Sequence, residues 1–379
     1  MRVLVVSGIW PPDVGGPASH APDVARFLHG RGHHVEVVVT AASGPAASAY
    51  PVYWISRRLP KGAIHVRTAV EIARRAARAD VVYTTGMFGR SWAGATSART
   101  PYVLKLTADP AFERARRRSI VGGNVDEFQR LKGGLAVRAL RLARDVELHG
   151  AAHVFTPSAY LGELAVTWGV RSDRVSVLPN PAPALPDLAP REELRRTFGM
   201  NELTLAFAGR LTAQKSLGVA LEALSRNDGV LLLIAGDGDE RAPLERRADE
   251  LGLGSRARFL GPLPRERVVE LFRAADGAIL SSSWENFPHT VVEALAAGTP
   301  VLATEVGGVA EVVRDGENGL LVAIGDVDAF ADAIRRFAGD PELRERLRAA
   351  AAPSVAEYAP ERVFAKLEDT LAAVARTDG

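Results

Sequence analysis

The chain has 379 residues, more than one ordinary core needs, so two domains are the first expectation. Hydrophobic residues make up 47%, charged residues 24%, and the formal net charge is +2, a balance that suits a soluble α/β protein and argues against disorder at domain scale. There is no cysteine, which excludes disulfides, thiolate zinc sites and a cysteine nucleophile.

In chain order, Val3-Leu4-Val5-Val6 is too short an apolar run for a signal peptide and is expected to be the first strand. Periodicity then predicts a helix over 18–29, a strand over 35–40, a helix over 64–79, and strands over 81–85 and 102–106. A helix over 132–149 and strands over 154–155 and 175–178 follow. Residues 37–56 are uncharged, but Pro45, Pro51 and many alanines and serines make them a poor membrane span. With no signal peptide or span in view, a cytoplasmic protein is expected. The Ala-Pro-rich stretch from Pro179 to Pro190 carries no periodic signal and reads as a linker. The same rhythm then restarts, with strands over 203–208, 230–235, 257–260, 277–281 and 301–304. Helices are expected over 217–224, 242–251, 265–274, from the glutamate-bearing loop to 297, and over 360–375. The expected domains are 1–183 and 184–355, both doubly wound, with a last helix in 356–379 that could return to the first domain.

Charge is unevenly shared. Residues 1–183 carry 24 Lys and Arg against 13 Asp and Glu, and the remainder carries 23 against 32. Such a basic half suits an anionic acceptor or peripheral contact with a membrane surface, although solvated helix faces such as Arg138, Arg141 and Arg144 also account for it. No nucleic-acid partner is expected.

Chemistry-bearing residues recur at strand ends. Gly15 and Gly16 follow the first strand, where adjacent glycines let backbone approach a ligand or simply make a tight turn. No Gly-x-Gly-x-x-Gly follows that strand, so a nicotinamide-type reading lacks support. After the strand ending at Ala208, Gly209-Arg210 and Lys215 place a planar guanidinium and a point charge where both can hold one phosphate. Gly236-Asp237-Gly238 closes the next strand, either admitting a nucleotide or turning the chain. Glu285 and Glu293 flank a predicted helix start, itself a site for phosphate. Thr290 and Glu293 also fit a capping box, in which the glutamate would satisfy the helix's own amides.

The order and spacing of these residues, with Gly298-Thr299-Pro300-Val301, Gly307-Gly308 and the last helix, resemble the family-4 retaining glycosyltransferases of GT-B fold. The resemblance implies two Rossmann-like domains facing across a cleft, a nucleotide-diphosphate sugar held mainly by the second and a hydroxyl acceptor entering from the first. It implies that Arg210 and Lys215 hold the donor diphosphate, that Glu285 meets the transferred hexose-type sugar, and that Glu293 binds the ribose. Backbone amides at Phe287, His289 and Thr290 would assist, with Gly15, Gly16, Gly209 and Gly238 lining the donor. Transfer is expected to be metal-independent, without a cofactor, and to retain the anomeric configuration. Where relatives often carry a histidine, this chain has Thr107; Asp109 could act as base instead, or be an N-cap, while His20 and His289 are nearby alternatives. A nucleotide-sugar epimerase or hydrolase, or a non-catalytic binding protein, could share the architecture.

Overall fold

The computed structural model describes residues 1–11, 16–183, 185 and 188–377. The chain divides into two compact units, residues 1–180 with 361–379, and residues 181–360. The division comes at 180 and 360 rather than after 183 and 355, because the Ala182 amide donates to the Tyr358 carbonyl at 2.7 Å and ties both ends of the second unit together.

The first unit runs β1 (Arg2–Ser7), α1 (Gly16–Gly30), β2 (His34–Ala41), β3 (Val52–Ser56), α2 (Lys61–Ala76), β4 (Val81–Thr84) and α3 (Phe88–Ala98). It continues with β5 (Tyr102–Lys105), α4 (Pro110–Arg117), α5 (Val125–Arg130), α6 (Leu135–His149), β6 (His153–Thr156), α7 (Ala159–Thr167) and β7 (Val175–Val177). Its strands form a parallel sheet in the order β3-β2-β1-β4-β5-β6-β7. Successive side chains of a strand point to opposite faces, so Val3 and Val5 enter one core while Leu4 and Val6 enter the other. Both faces are covered, which is why the central strands are apolar throughout.

The second unit holds α8 (Arg191–Thr197), β8 (Leu203–Ala208), α9 (Leu217–Ser225), β9 (Val230–Ala235), α10 (Arg241–Glu250), β10 (Ala257–Gly261) and α11 (Arg265–Ala274). Then come β11 (Gly277–Leu280), α12 (His289–Ala296), β12 (Val301–Thr304), β13 (Gly319–Val322), α13 (Val327–Gly339) and α14 (Pro341–Ser354). Its parallel sheet has the order β10-β9-β8-β11-β12-β13. The last helix, α15 (Pro360–Thr377), buries Val363, Phe364, Leu367 and Leu371 in the core of the first unit. Its Glu368 accepts from His33 at 2.7 Å and from Arg31 at 3.1 Å.

Several elements are absent from the expected set. In β3 only Ile55 is buried, so no apolar alternation announces it. The composition of α3 is poor in helix formers, yet its Gly94 lets it press on α2, where a Cβ would stand 2.6 Å from Ile72 Cγ2 and 2.9 Å from the Ala69 carbonyl. The helix expected from 132 starts at Leu135, because Gly133 takes a left-handed φ of 64° and Gly134 is the N-cap.

Candidate functional site

Each sheet reverses its strand order once, between β1 and β4 in the first unit and between β8 and β11 in the second. At such a switch point the following helices depart to opposite faces and leave a crevice at the strands' carboxyl ends.

At the second switch point the loop after β8 runs against the loop after β9. The Gly209 amide donates to the Ala235 carbonyl at 3.0 Å, and the Leu211 amide to the Asp237 carbonyl at 2.9 Å. A Cβ on Gly236 would stand 1.8 Å from the Gly209 carbonyl oxygen, and one on Gly238 would stand 2.3 Å from that of Leu211. Backbone packing therefore already requires glycine at both positions.

The loop after β8 is also laced to the loop after β11. Ser283 donates its amide to the Gln214 carbonyl at 2.8 Å, Gln214 Nε2 donates to the Trp284 carbonyl at 2.7 Å, and Ser281 Oγ donates to the Lys215 carbonyl at 2.9 Å. These bonds bring Lys215 to Glu285. Lys215 Nζ lies 2.5 Å from Glu285 Oε1, and Ser282 Oγ donates to the same oxygen at 2.7 Å. Glu285 is 7% exposed, so its carboxylate is locked by an ammonium and a hydroxyl that both use Oε1. Arg210 is different. It is exposed and makes no side-chain hydrogen bond or ion pair among the described residues.

Helix α12 begins at His289 behind Pro288, and no side chain caps its first turn. Phe287 is buried, edge-on to both Tyr358 and His289. Thr290 is the second helical residue, so the capping box with Glu293 does not form. Glu293 instead pairs with Arg265 of α11 at 3.1 Å, and burial raises its pKa above the ordinary carboxylate value despite that cation.

Asp237 and Asp239 form an Asp-x-Asp pair, the spacing often used for a divalent ion, so the expectation that the sequence holds no such cluster is wrong. Asp237 Oδ1 accepts from the Gly238 amide at 2.9 Å and lies 3.9 Å from Arg241. No group of three or more His, Asp or Glu side chains suited to a metal ion occurs among the described residues.

Solved structures share this architecture. Anabaena Alr3699/HepE in complex with UDP superposes with a TM-score of 0.79 at 20% identity, over 98% of this chain and 100% of that one. The sucrose-phosphate synthase of Thermosynechococcus elongatus gives 0.78 at 19% identity, over 99% of each. Residues 15–181 match the Glycosyl transferase 4-like domain, and residues 190–353 match the family Glycosyl transferases group 1. The chain belongs to the glycosyltransferases of GT-B fold.

Among curated relatives, the lipopolysaccharide core biosynthesis glycosyltransferase LpsE of Rhizobium meliloti is 41% identical over 139 residues, which is 37% of this chain and 40% of that one. The D-inositol 3-phosphate glycosyltransferase of Mycolicibacterium smegmatis is 38% identical over 190 residues, 48% of this chain and 42% of the relative. The matches thus span less than half the length of these relatives.

The second unit brings Gly209, Lys215, Glu285 and Gly238 together on paired loops, and Arg210, next to Gly209 in the chain, is exposed. On the first unit the expectations fare unevenly. Gly15 lies outside the described residues, and Gly16 is the first residue of α1. His20 Nε2 is bonded to Tyr83 Oη at 2.8 Å and its ring lies beside Phe364, a packing role. Asp109 is the N-cap of α4, the alternative to its reading as a base. It is 0% exposed; one oxygen caps α4 at the Ala111 amide, and the other meets Gln129 Nε2 at 3.0 Å and Arg144 Nη1 at 3.2 Å. Thr107 is exposed and lines a cavity of the first unit. Two groups near these strand ends escaped sequence reasoning. Lys105 is buried, donates to Asn180 Oδ1 at 2.9 Å, and has its pKa lowered to about 7 by desolvation. Arg90 of α3 lines the same cavity as Thr107.

No helix among the described residues is long and apolar enough to cross a membrane.

Proposed function

We propose that the protein transfers a hexose-type sugar from a nucleotide-diphosphate sugar to a hydroxyl acceptor, without metal and with retention at the anomeric carbon. The observation that carries the reading is the locked Lys215–Glu285–Ser282 cluster, with exposed Arg210 on the same loop as Lys215, at the switch point of the second unit. Glu285 Oε1 is fixed by two donors, so Oε2 is the oxygen offered to sugar hydroxyls, in an orientation set before substrate arrives. Lys215 and Arg210 meet the diphosphate, and the uncapped start of α12, with the Phe287, His289 and Thr290 amides, adds to its stabilisation. In the reaction the bond from C1 to the β-phosphate oxygen breaks and its electron pair stays on the diphosphate. The acceptor oxygen bonds to C1 from the face being vacated, and its proton passes to the departing phosphate oxygen. Burial of Asp109 favours that route over a carboxylate base. Exposed Leu135 and Leu142, with exposed Arg116, Arg117 and Arg118, suit peripheral contact with an anionic membrane surface.

The test is a panel of nucleotide sugars, headed by UDP-glucose because Anabaena HepE has been solved with it, incubated with and without acceptors. Acceptor-dependent release of the diphosphate and a product of unchanged anomeric configuration by proton NMR are expected. Rapid conversion to an epimer or to free sugar without acceptor overturns the transferase reading, and an inverted product overturns retention.

Glu293 is assigned to the ribose. Glu293→Ala is expected to weaken a ribonucleoside diphosphate about tenfold to a hundredfold, the range for loss of a charge-assisted hydrogen bond, and its 2'- and 3'-deoxy analogues far less. Equal weakening by calorimetry would assign Glu293 to its Arg265 pair alone.

A further inference from the structure

The cavity of the first unit carries an inference that rests on the proposed transfer reaction and names the class of its acceptor. It has a volume of about 920 Å³ and lies where β1 and β4 end, with Gly8 from one strand end and Gly86 from the other. It is therefore the first unit's own switch-point crevice. Thr107 and Ala108, which follow β5, extend it. The loop entering α3 holds Met87 in a left-handed conformation, φ 56°, a strained state for a residue with a side chain.

The chemistry of the wall is uneven. Val66, Phe88, Ala93 and Leu140 give it apolar surface, while Arg90, Arg114, Arg117 and Arg118 face only Glu113 and Glu147 as acids. Glu147 is already taken by Arg114, whose Nη2 lies 2.7 Å from both carboxylate oxygens. Arg90 is partly buried and, among the described residues, has no side-chain hydrogen bond or ion pair. Two other arginines of this unit are held by acids: partly buried Arg75 has Glu36 and Glu71, and buried Arg144 has Asp109 and Asp145. Among the described residues, the charge acting on Arg90 is another cation, Arg57, whose guanidinium donates to the Gly8 and Thr40 carbonyls at 3.0 and 2.9 Å. Burial and Arg57 both lower the Arg90 pKa, and that of His65, which also lines the cavity, is lowered by burial first and then by Arg90. A desolvated cation beside a like charge is unfavourable until an anion arrives. A guanidinium presents a planar fork suited to phosphate or carboxylate oxygens.

We propose that the acceptor is an anionic hydroxyl compound whose phosphate or carboxylate docks on Arg90 in this cavity. The apolar wall then takes the uncharged body of the molecule, and the exposed arginines at Arg117 and Arg118 draw it in.

The cysteine-free sequence permits a single reporter thiol. Ala93→Cys, or Val66→Cys on an exposed turn of α2, is labelled with a neutral maleimide while glucose, glucose 6-phosphate, glucuronate or inorganic phosphate is titrated in. Glucose 6-phosphate or glucuronate is expected to slow labelling where glucose does not, and whichever protects identifies the oxyanion as phosphate or carboxylate. Arg90→Gln is expected to raise the protecting concentration about tenfold to a hundredfold, and Arg90→Lys to restore part of it. Melting temperature and nucleoside-diphosphate affinity stay unchanged in Arg90→Gln, which separates lost docking from misfolding. Protection by glucose equal to that by its anionic derivatives, or protection indifferent to Arg90→Gln, overturns the inference even if sugar transfer is observed. Protection that depends on Arg90 with no transfer from any nucleotide sugar upholds the anion site and overturns the transferase reading instead.

Discussion

Arg210→Ala is expected to lower turnover about a hundredfold or more with no change in melting temperature. The two halves of that expectation have separate physical grounds. Loss of one preorganised donor to a developing anion lowers turnover by about 10²–10³. Stability should not move, because Arg210 is exposed and contributes no side-chain hydrogen bond or ion pair among the described residues. Its backbone position is set instead by the neighbouring Gly209 and Leu211 amides, which the substitution leaves in place. Lys215→Ala supplies the contrast. That change strips the ammonium from Glu285, a carboxylate with 7% exposure, so it should lower both turnover and melting temperature. Steady-state kinetics and thermal melts on the two variants distinguish a residue held ready for substrate from one that also holds the fold. Unchanged turnover in Arg210→Ala removes it from the site.

The parts of this architecture that depend on local pattern were legible in the sequence. The strands at Leu203–Ala208, Val230–Ala235 and Val301–Thr304 and the helix at Arg265–Ala274 fall where apolar periodicity puts them, because strands buried on both faces must be apolar throughout. Strand ends carry the chemistry in such sheets, so Arg210, Lys215 and Glu285 stood out before any coordinates. What no local pattern carries is the pairing across long separations. Lys215 and Glu285 are 70 residues apart, and the Oε1 atom that unites Lys215 with Ser282 is visible only in three dimensions. Glu293 shows how a local pattern can mislead. Its spacing from Thr290 imitates a capping box, but the helix starts one residue before Thr290 and the carboxylate turns to Arg265. Arg90 gave no signal at all, since an arginine among small residues is unremarkable until its lack of an acid partner can be seen.

Asp109→Ala is expected to destabilise the protein by about 3 kcal/mol, the lower end of the range for breaking a buried ion pair, and to lower the melting temperature by about 10 °C. Three attachments are lost together. The α4 N-cap goes, Gln129 Nε2 loses its Asp109 acceptor and keeps only the Val125 carbonyl, and Arg144, with a side chain 4% exposed, keeps Asp145 and the face of Trp168. Those remaining contacts are the reason for choosing the lower end. Asp109→Asn should recover part of the loss, because an amide oxygen can still cap α4 while the charge that balanced Arg144 is gone. A catalytic base predicts another pattern: both variants would melt near the unsubstituted protein, and both would lose turnover with the acid limb of the pH profile removed. Calorimetry and the pH dependence of kcat/KM on this pair therefore decide whether the departure at Thr107 left a carboxylate base two residues on. The burial of Asp109 favours the structural outcome, in which the acceptor's proton leaves with the diphosphate.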